Sequence, residues 1–269
     1  MYDFTFHRPA DVKQAAALLQ SSEEAKLLAG GQTLIPTLKQ RLAAPKHVID
    51  LAGIEGLAGI ERKGRNLLIG AMTHHATVAA SPVVMKAIPA LAELASHIGD
   101  PAVRNRGTLG GSVANNDPAA DYPAACIGLG ASIITSKRKI EADDFFTGLF
   151  ETALEPDEIV VQVSFPLPMQ AGYAKFPNPA SRYAMVGVFV AERGKKEVRV
   201  AVTGAGDSGV FRVPAMERAL VKRFAPKSLE GVKVDTKGLV SDLHAGAEYR
   251  AHLIGVMARR AVAAAAAAK

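Results

Sequence analysis

Over the first fifty residues the apolar positions switch between two periods. Phe4-Thr5-Phe6 reads as a short strand, and Val12, Ala15, Ala16, Leu18 and Leu19 then recur at helical spacing between about Asp11 and Gln20. Ala25-Lys26-Leu27-Leu28 predicts a second strand, ending at Gly30-Gly31. Thr33 stands as an N-cap, and Pro36 is tolerated only in the first turn of the helix that follows. Leu34, Leu38 and Leu42 mark one face of that helix, and His47–Leu51 gives a third strand. The β-α-β-α-β order predicts a small three-stranded lobe ending near Gly53.

From Gly56 the pattern changes. Leu57–Ile69 predicts a hairpin turning at Lys63-Gly64-Arg65-Asn66. Helical stretches follow around Thr77 and from Val83 to Ile98. Asp117-Pro118 looks like an N-cap and N1 pair opening a helix that stops near Gly128 or Gly130. Strands at Ala131–Ser136 and Glu158–Phe165 complete a larger lobe, and Pro166, Pro168 and Gly172 mark a linker. In the final hundred residues, Ala184–Glu192 and Glu197–Thr203 form a hairpin turning at Arg193-Gly194-Lys195-Lys196. A helix around Pro214–Arg223 and a long one from about Ala245 follow. The Ala261–Ala268 tract has high helix propensity and little to pack with, so a frayed end is expected.

Composition narrows the class. With 49% hydrophobic and 22% charged residues, the 269-residue chain reads as soluble and globular. No apolar run approaches the ~20 residues of a membrane span. Met1–Phe6 reads as a strand rather than a charged lead into an apolar run, so no export signal is expected. Cys126 is the single cysteine and cannot form a disulfide within the chain; the cytoplasm is the expected compartment. The net charge of +6 invites a nucleic-acid reading, but the basic residues are scattered. The two short clusters, Arg62-Lys63-Gly64-Arg65 and Lys137-Arg138-Lys139, fall at turns or strand ends, and no nucleic-acid motif accompanies them.

The chemistry concentrates in two double glycines. Gly30-Gly31 is followed by Gln32-Thr33-Leu34-Ile35, and Gly110-Gly111 sits among Thr108, Ser112, Asn115, Asn116 and Asp117. Glycine allows backbone amides to converge on an anion, so two such loops suggest an extended ligand with two phosphates, held mainly by backbone. The first loop serves equally as a plain strand-to-helix connection, though the Thr33 hydroxyl and Gln32 amide favour binding. Five polar side chains in ten positions exceed the needs of a turn at the second, where the other reading is a polar surface loop. Asp121, read as one turn into the next helix, suits the helix dipole and can accept from a ligand N–H.

Competitors fall away in turn. Gly204-Ala205-Gly206-Asp207-Ser208-Gly209 fits G-x-G-x-x-G, but the next residues look extended and then break at Pro214. Adjacent His74-His75 point to different sides, no zinc pattern is present, and no G-x-S-x-G turn occurs. Any chemistry here therefore belongs to a bound organic cofactor. No catalytic side chain and no metal ligand is expected.

Ala29-Gly30-Gly31-Gln32-Thr33-Leu34-Ile35-Pro36 together with Thr108–Asp121 closely resembles the FAD-binding medium subunit of molybdenum hydroxylases, the relatives of xanthine dehydrogenase and aerobic carbon monoxide dehydrogenase. The resemblance extends over essentially the whole chain, including Glu155–Val160 and Arg182-Tyr183-Ala184. It implies an α+β chain: a two-lobed vanillyl-alcohol-oxidase-type FAD-binding fold over 1–54 and 55–170, then a small α+β C-terminal domain over 171–269. Ala29, Gly30, Gly31, Gln32, Thr33, Leu34 and Ile35 would hold the pyrophosphate. Thr108, Gly110, Gly111 and Ser112 would line a second FAD contact. Asn115 and Asp121 match positions reaching the flavin or its ribityl chain, and Val160 and Lys175 match positions near the isoalloxazine edge. Tyr183 falls where carbon monoxide dehydrogenase relatives hold an aromatic beside the ring. Ile98 departs from the pattern, standing near the place of an aromatic that packs on the flavin in xanthine dehydrogenase.

The resemblance also implies partners: a large molybdopterin-binding subunit and a small [2Fe–2S] subunit, in a heterotrimer doubled by symmetry. This chain would take electrons from the cluster subunit and pass them to an external acceptor. The other readings are a stand-alone FAD oxidoreductase of the same fold and a non-catalytic assembly module.

Overall fold

The structure, a computed structural model, describes residues 1–267. Three main sheets organise it. In the first, β1 (Thr5–His7), β2 (Ala25–Leu28) and β3 (His47–Asp50) lie parallel in the order β1-β3-β2, connected by α1 (Val12–Gln20) and α2 (Leu34–Lys39). Asp11 caps α1 by accepting from the Gln14 amide at 2.8 Å, and Ala15, Ile49 and Leu51 close the small core beneath it. The expected β-α-β-α-β order is present. Arg41 turns the chain at φ 60°, which leaves Leu42 74% exposed beyond the helix end rather than on its buried face.

The second sheet is antiparallel, in the order β4-β5-β10-β6-β7: β4 (Ile60–Lys63), β5 (Asn66–Gly70), β6 (Ser132–Thr135), β7 (Lys139–Glu141) and β10 (Val160–Pro166). The stretch expected as one helix over Val83–Ile98 divides into α4 (Pro82–Ala87) and α5 (Pro89–Ser96), because Pro89 drives Ile88 out of helical geometry. With α3 (His75–Ala80), α6 (Pro101–Arg104), α7 (Leu109–Asn115) and α8 (Tyr122–Leu129) these helices cover the sheet. A short α9 (Ala142–Phe145) leads into the ribbon β8 (Phe146–Gly148) and β9 (Glu151–Thr152). Lys137 and Arg138, one of the basic clusters, pair with Glu155, Asp157 and Glu158.

The third sheet, β11 (Gln170–Pro177), β12 (Ala184–Gly194), β13 (Glu197–Thr203) and β14 (Phe211–Arg212), is antiparallel in chain order. Its two faces follow the period of two. Val186, Val188, Val190, Val198, Val200 and Val202 pack under α10 (Pro214–Lys222) and α11 (Ala247–Ala267). Tyr173, Phe189, Ala191 and Ala201 point the other way, into the core of the second sheet. The Gly204–Gly209 run joins antiparallel β13 to β14 and opens no helix, so it is no dinucleotide turn. No helix among the described residues is long and apolar enough to cross a membrane.

The expected linker is also corrected: Pro166 ends β10, and Gly172 lies inside β11, where a Cβ would stand 1.9 Å from the Ala261 carbonyl oxygen. For the same reason the alanine tract is not frayed: Ala261, Val262 and Ala265 are buried against that strand, while Ala268 lies outside the described residues. Small residues on both sides bring helix and strand into backbone contact. Gly172→Ala is therefore expected to lower the unfolding free energy by about 1–3 kcal/mol. An unchanged denaturation midpoint would show that α11 does not rest on β11 there.

Candidate functional site

A cleft of ≈ 650 Å³ runs between the three sheets, within the usual range for a small-molecule site. Its first wall is the loop after β2. Gly31 turns it at φ 73°, a left-handed conformation that suits glycine. The amides of Gly30, Gly31, Gln32, Thr33 and Leu34 donate to no carbonyl or side chain among the described residues; the first that does is that of Ile35, to Gly31 O at 3.0 Å. Thr33 occupies the N-cap position of α2, yet its hydroxyl makes no capping bond. Five successive donors and a hydroxyl thus remain for an anionic or strongly accepting group.

The second double glycine is built differently. Gly110 and Gly111 do not form a loop but lie inside α7, capped by Thr108, whose hydroxyl oxygen accepts from the Gly111 amide at 3.1 Å. The Leu109 amide donates to Thr73 O at 3.0 Å, that of Gly110 to Ala71 O at 2.8 Å, and that of Ser112 to Thr108 O at 3.0 Å. All four first-turn donors are satisfied within the protein, so the expected backbone cradle is absent from this motif. It offers side chains instead: Thr108, Ser112 and Asn115 line the cleft. Asn116 faces elsewhere, donating to Gly148 O and Glu151 O at 2.8 Å each and so fixing the β8–β9 ribbon.

The two motifs touch. A Cβ on Gly30 would stand 2.2 Å from Arg106 O, and one on Gly111 would face Ala29 Cβ at 3.5 Å. Glycine at 30 is thus required by close approach, while Gly111 borders the cleft.

The far end is closed from the third sheet. Asp117-Pro118 does not open a helix: it makes one turn, with the Ala119 amide donating to Asp117 Oδ1 at 2.8 Å. The Pro118 and Ala120 carbonyls then accept from the Thr203 hydroxyl at 3.1 and 2.6 Å. Asp121 therefore stands at the N-cap position of α8 rather than one turn in, and caps nothing. Its Oδ2 accepts from Lys175 Nζ at 2.9 Å and its Oδ1 from the Tyr173 hydroxyl. Burial pushes the Asp121 carboxyl above its ordinary range, against the pull of Lys175 and Tyr173. Tyr183 leans over the mouth, half-exposed, from the β11–β12 loop that Arg182 turns at φ 62°.

The cleft thus brings together Ala29, Gly30, Gly31, Gln32, Thr33, Leu34, Thr108, Gly110, Gly111, Ser112, Asn115, Asp121, Val160, Lys175 and Tyr183. Ile35 is the one expected residue outside it; its side chain packs under the loop at Gly31. Ile98 also lines the wall, as an aliphatic surface. Sequence reasoning missed His75 and Asp117 as lining residues, and Tyr173 as the support behind Asp121. Asp117 was visible within the polar run, but nothing in the spacing marks Tyr173. His75 is buried, and its Nδ1 has no partner among the described residues. No three His, Cys, Asp or Glu side chains come together to hold a metal among the described residues.

Comparison with known proteins bears on the chain as a whole. The family model described as "FAD binding domain in molybdopterin dehydrogenase" matches residues 2–168, more than half of the chain. The nicotine 6-hydroxylase medium subunit of Paenarthrobacter nicotinovorans is 38% identical over 267 residues, 94% of each chain. The carbon monoxide dehydrogenase medium chain of Hydrogenophaga pseudoflava is 36% identical, over 97% of this chain and 96% of that one. Among solved structures, quinoline 2-oxidoreductase from Pseudomonas putida 86 superposes with a TM-score of 0.88 at 29% identity, covering 99% of this chain and 98% of that one.

His75 generates a prediction. Burial first, then His74 and Arg104, lower its pKa from 6.5 to about 4. Above pH 6.5 the ring is neutral in both states. Between 6.5 and about 4 only the unfolded chain takes up the proton, so stability falls as pH falls. The shift corresponds to about 3 kcal/mol. Denaturant unfolding across that window should show the loss, and His75→Gln should flatten it. A wild-type curve parallel to that of the variant would assign the acid sensitivity to other groups.

Proposed function

The chain belongs to the family of FAD-binding domains of molybdopterin dehydrogenases, and from that premise we propose that it is the electron-transfer subunit of a molybdenum hydroxylase. It is an oxidoreductase subunit, and its cofactor is FAD. The proposal concerns the route: electrons arrive from a [2Fe–2S] subunit and leave to an external acceptor.

The cleft fits the cofactor. The partnerless amides of Gly30–Leu34 suit the pyrophosphate, the first-motif contact expected at Ala29–Ile35. Ile35 would serve from behind, as packing. Thr108 and Ser112 hydroxyls and the Asn115 amide suit the polar middle of the ligand. Val160, Lys175 and Tyr183, with Asp121 behind Lys175, surround the end assigned to the ring. Leu27, Leu51, Ile98 and Ile159 give the apolar lining an aromatic ligand needs.

Bound FAD supplies a two-electron store that can be filled and emptied one electron at a time. The protein's tasks are then to bind, orient and shield it. We assign no nucleophile and no general acid or base to this chain. Its buried Cys126 thiol is pushed far up by burial and stays inert. The Tyr183 hydroxyl is also raised, by burial and by Asp117 and Asp121, which keeps it neutral at the mouth. Three units, 1–54, 55–170 and 171–269, would each supply one wall. The partners proposed are a large molybdopterin-binding subunit and a small [2Fe–2S] subunit, as a cytoplasmic dimer of heterotrimers.

The observation behind this reading is the meeting of both glycine motifs in one cleft with free donors on one side only. Gly111 is the probe: its backbone is helical, and an added Cβ would press on the Thr108 capping hydroxyl at 2.9 Å and face Ala29 Cβ at 3.5 Å. Gly111→Val should abolish flavin absorbance in the purified protein while leaving far-UV dichroism intact. Co-expression should also yield a complex with a cluster-bearing and a molybdenum-binding chain. FAD retained at full occupancy in Gly111→Val, or a wild-type chain that never takes up FAD, would end this reading.

A further inference from the structure

We propose that Tyr173, Asp121 and Gly187 form one positioning unit for Lys175, which holds its ammonium at the ring end of the cleft with one N–H left for the flavin. The inference rests on the flavin reading above and names how that end is built.

An ammonium has three donors and no acceptor. Lys175 Nζ donates to Asp121 Oδ2 at 2.9 Å and to His97 O at 3.0 Å. The third donor has no partner among the described residues, although the side chain is only 1% exposed and Lys175 lines the cleft. A donor so desolvated is strongly disfavoured unless something accepts from it. The ring nitrogens and carbonyl oxygens of a flavin are acceptors of the right kind.

Asp121 cannot fill the role of ligand contact on the same terms. It is 4% exposed; one oxygen faces Lys175 and the other faces the Tyr173 hydroxyl. The carboxylate is thus a counter-ion with a fixed direction. Tyr173 sets that direction from β11, two residues before Lys175 and on the same face of the strand.

Space for the hydroxyl comes from β12. Gly187 pairs with Lys175 across the sheet, and a Cβ there would stand 2.5 Å from Tyr173 Oη. The φ of Gly187 is not positive, so the backbone itself does not demand glycine. What demands it is the tyrosine hydroxyl first, and then the Thr203 methyl, which an added Cβ would meet at 2.9 Å. Three residues, on two strands and one helix start, therefore serve a single ammonium.

The test measures FAD dissociation constant and flavin midpoint potential in the assembled complex of the full-length chain. Lys175→Gln should weaken FAD binding about tenfold, the loss of one charged hydrogen bond, and lower the potential. Because it leaves Asp121 buried without its counter-ion, Lys175→Gln/Asp121→Asn serves as the folded, charge-balanced form of the same change. Tyr173→Phe and Gly187→Ala should each lower the potential by part of the Lys175→Gln shift. In the Lys175→Gln/Asp121→Asn background both should have no further effect, since they act only through Lys175. Shifts of equal size in both backgrounds, or no shift on losing Lys175, overturn the proposal. A wild-type complex devoid of FAD overturns the flavin reading itself, and this proposal with it.

Discussion

The cleft depends on one backbone-to-backbone contact. Gly30 lies so close to Arg106 and Gly107 that any side chain there would collide with the Arg106 carbonyl. Gly107 is in turn pressed against the His75 ring, and Gly110 against Ala71. This seam joins the three-stranded lobe to the five-stranded one at the point where the first motif turns. Side chains of ordinary size would hold the lobes apart and open the floor of the cleft. The glycines of the two motifs therefore divide by task. Gly30 makes the seam against Arg106 and Gly107, Gly107 and Gly110 seat the second motif on His75 and Ala71 of its own lobe, Gly31 supplies the left-handed turn, and Gly111 borders the cleft.

The seam also explains an electrostatic asymmetry. Beside Gly30, the first turn of α7 pairs through its Leu109 and Gly110 amides with Thr73 and Ala71, and the bridge between His74 and Thr108 continues that pairing. Its amides are thereby satisfied inside the protein. The loop at Gly30–Leu34 meets no such neighbour, and its amides stay open. Two motifs that look alike in sequence thus give one wall of open amides and one wall bearing polar side chains. The second can offer a ligand only side chains, whose removal acts locally. Removing a backbone donor from the first would require changing the path of the chain.

What could be read from the residues follows the range of the interactions involved. The parallel first lobe was legible because its signals are local: alternation in the strands, helical spacing in α1, and an aspartate cap. Hairpins with glycine turns were legible for the same reason. Asp117-Pro118 misled, because its local chemistry does favour a helix start. The Thr203 hydroxyl, more than eighty positions away, takes the Pro118 and Ala120 carbonyls and delays the helix to Asp121. Gly172 misled similarly, since a glycine beside prolines looks like a linker until Ala261 is seen to lie on it. The expected site residues meet in one cleft except for Ile35, because most of them cluster in two short stretches; Val160, Lys175 and Tyr183 were named only through the resemblance. Ile35, next in the motif, turns inward because α2 has already begun there. Tyr173 could not be found, since its role exists only through contacts with a distant helix start.

These long-range contacts give the C-terminal sheet a direct part in the site. The second motif ends at residues 117–121, and among the described residues the fastenings beyond its own turn come from β11, β12, β13 and Gly204 just after β13. Thr203 and Gly204 hold the Pro118 carbonyl, Ala184 donates to Ala119, and Lys175 and Tyr173 hold Asp121. The same sheet places Tyr173 and Phe189 in the core of the five-stranded lobe, and Phe189 packs on Gly128 of α8. Helix α8 is apolar on all sides and fully buried, so it has no solvent-facing surface to tolerate displacement. Any loosening of the third sheet therefore reaches Asp121 by two routes, through its own hydrogen bonds and through the packing of the helix it begins. Asp121 is thereby held in place twice over, by its own hydrogen bonds and by the helix it begins.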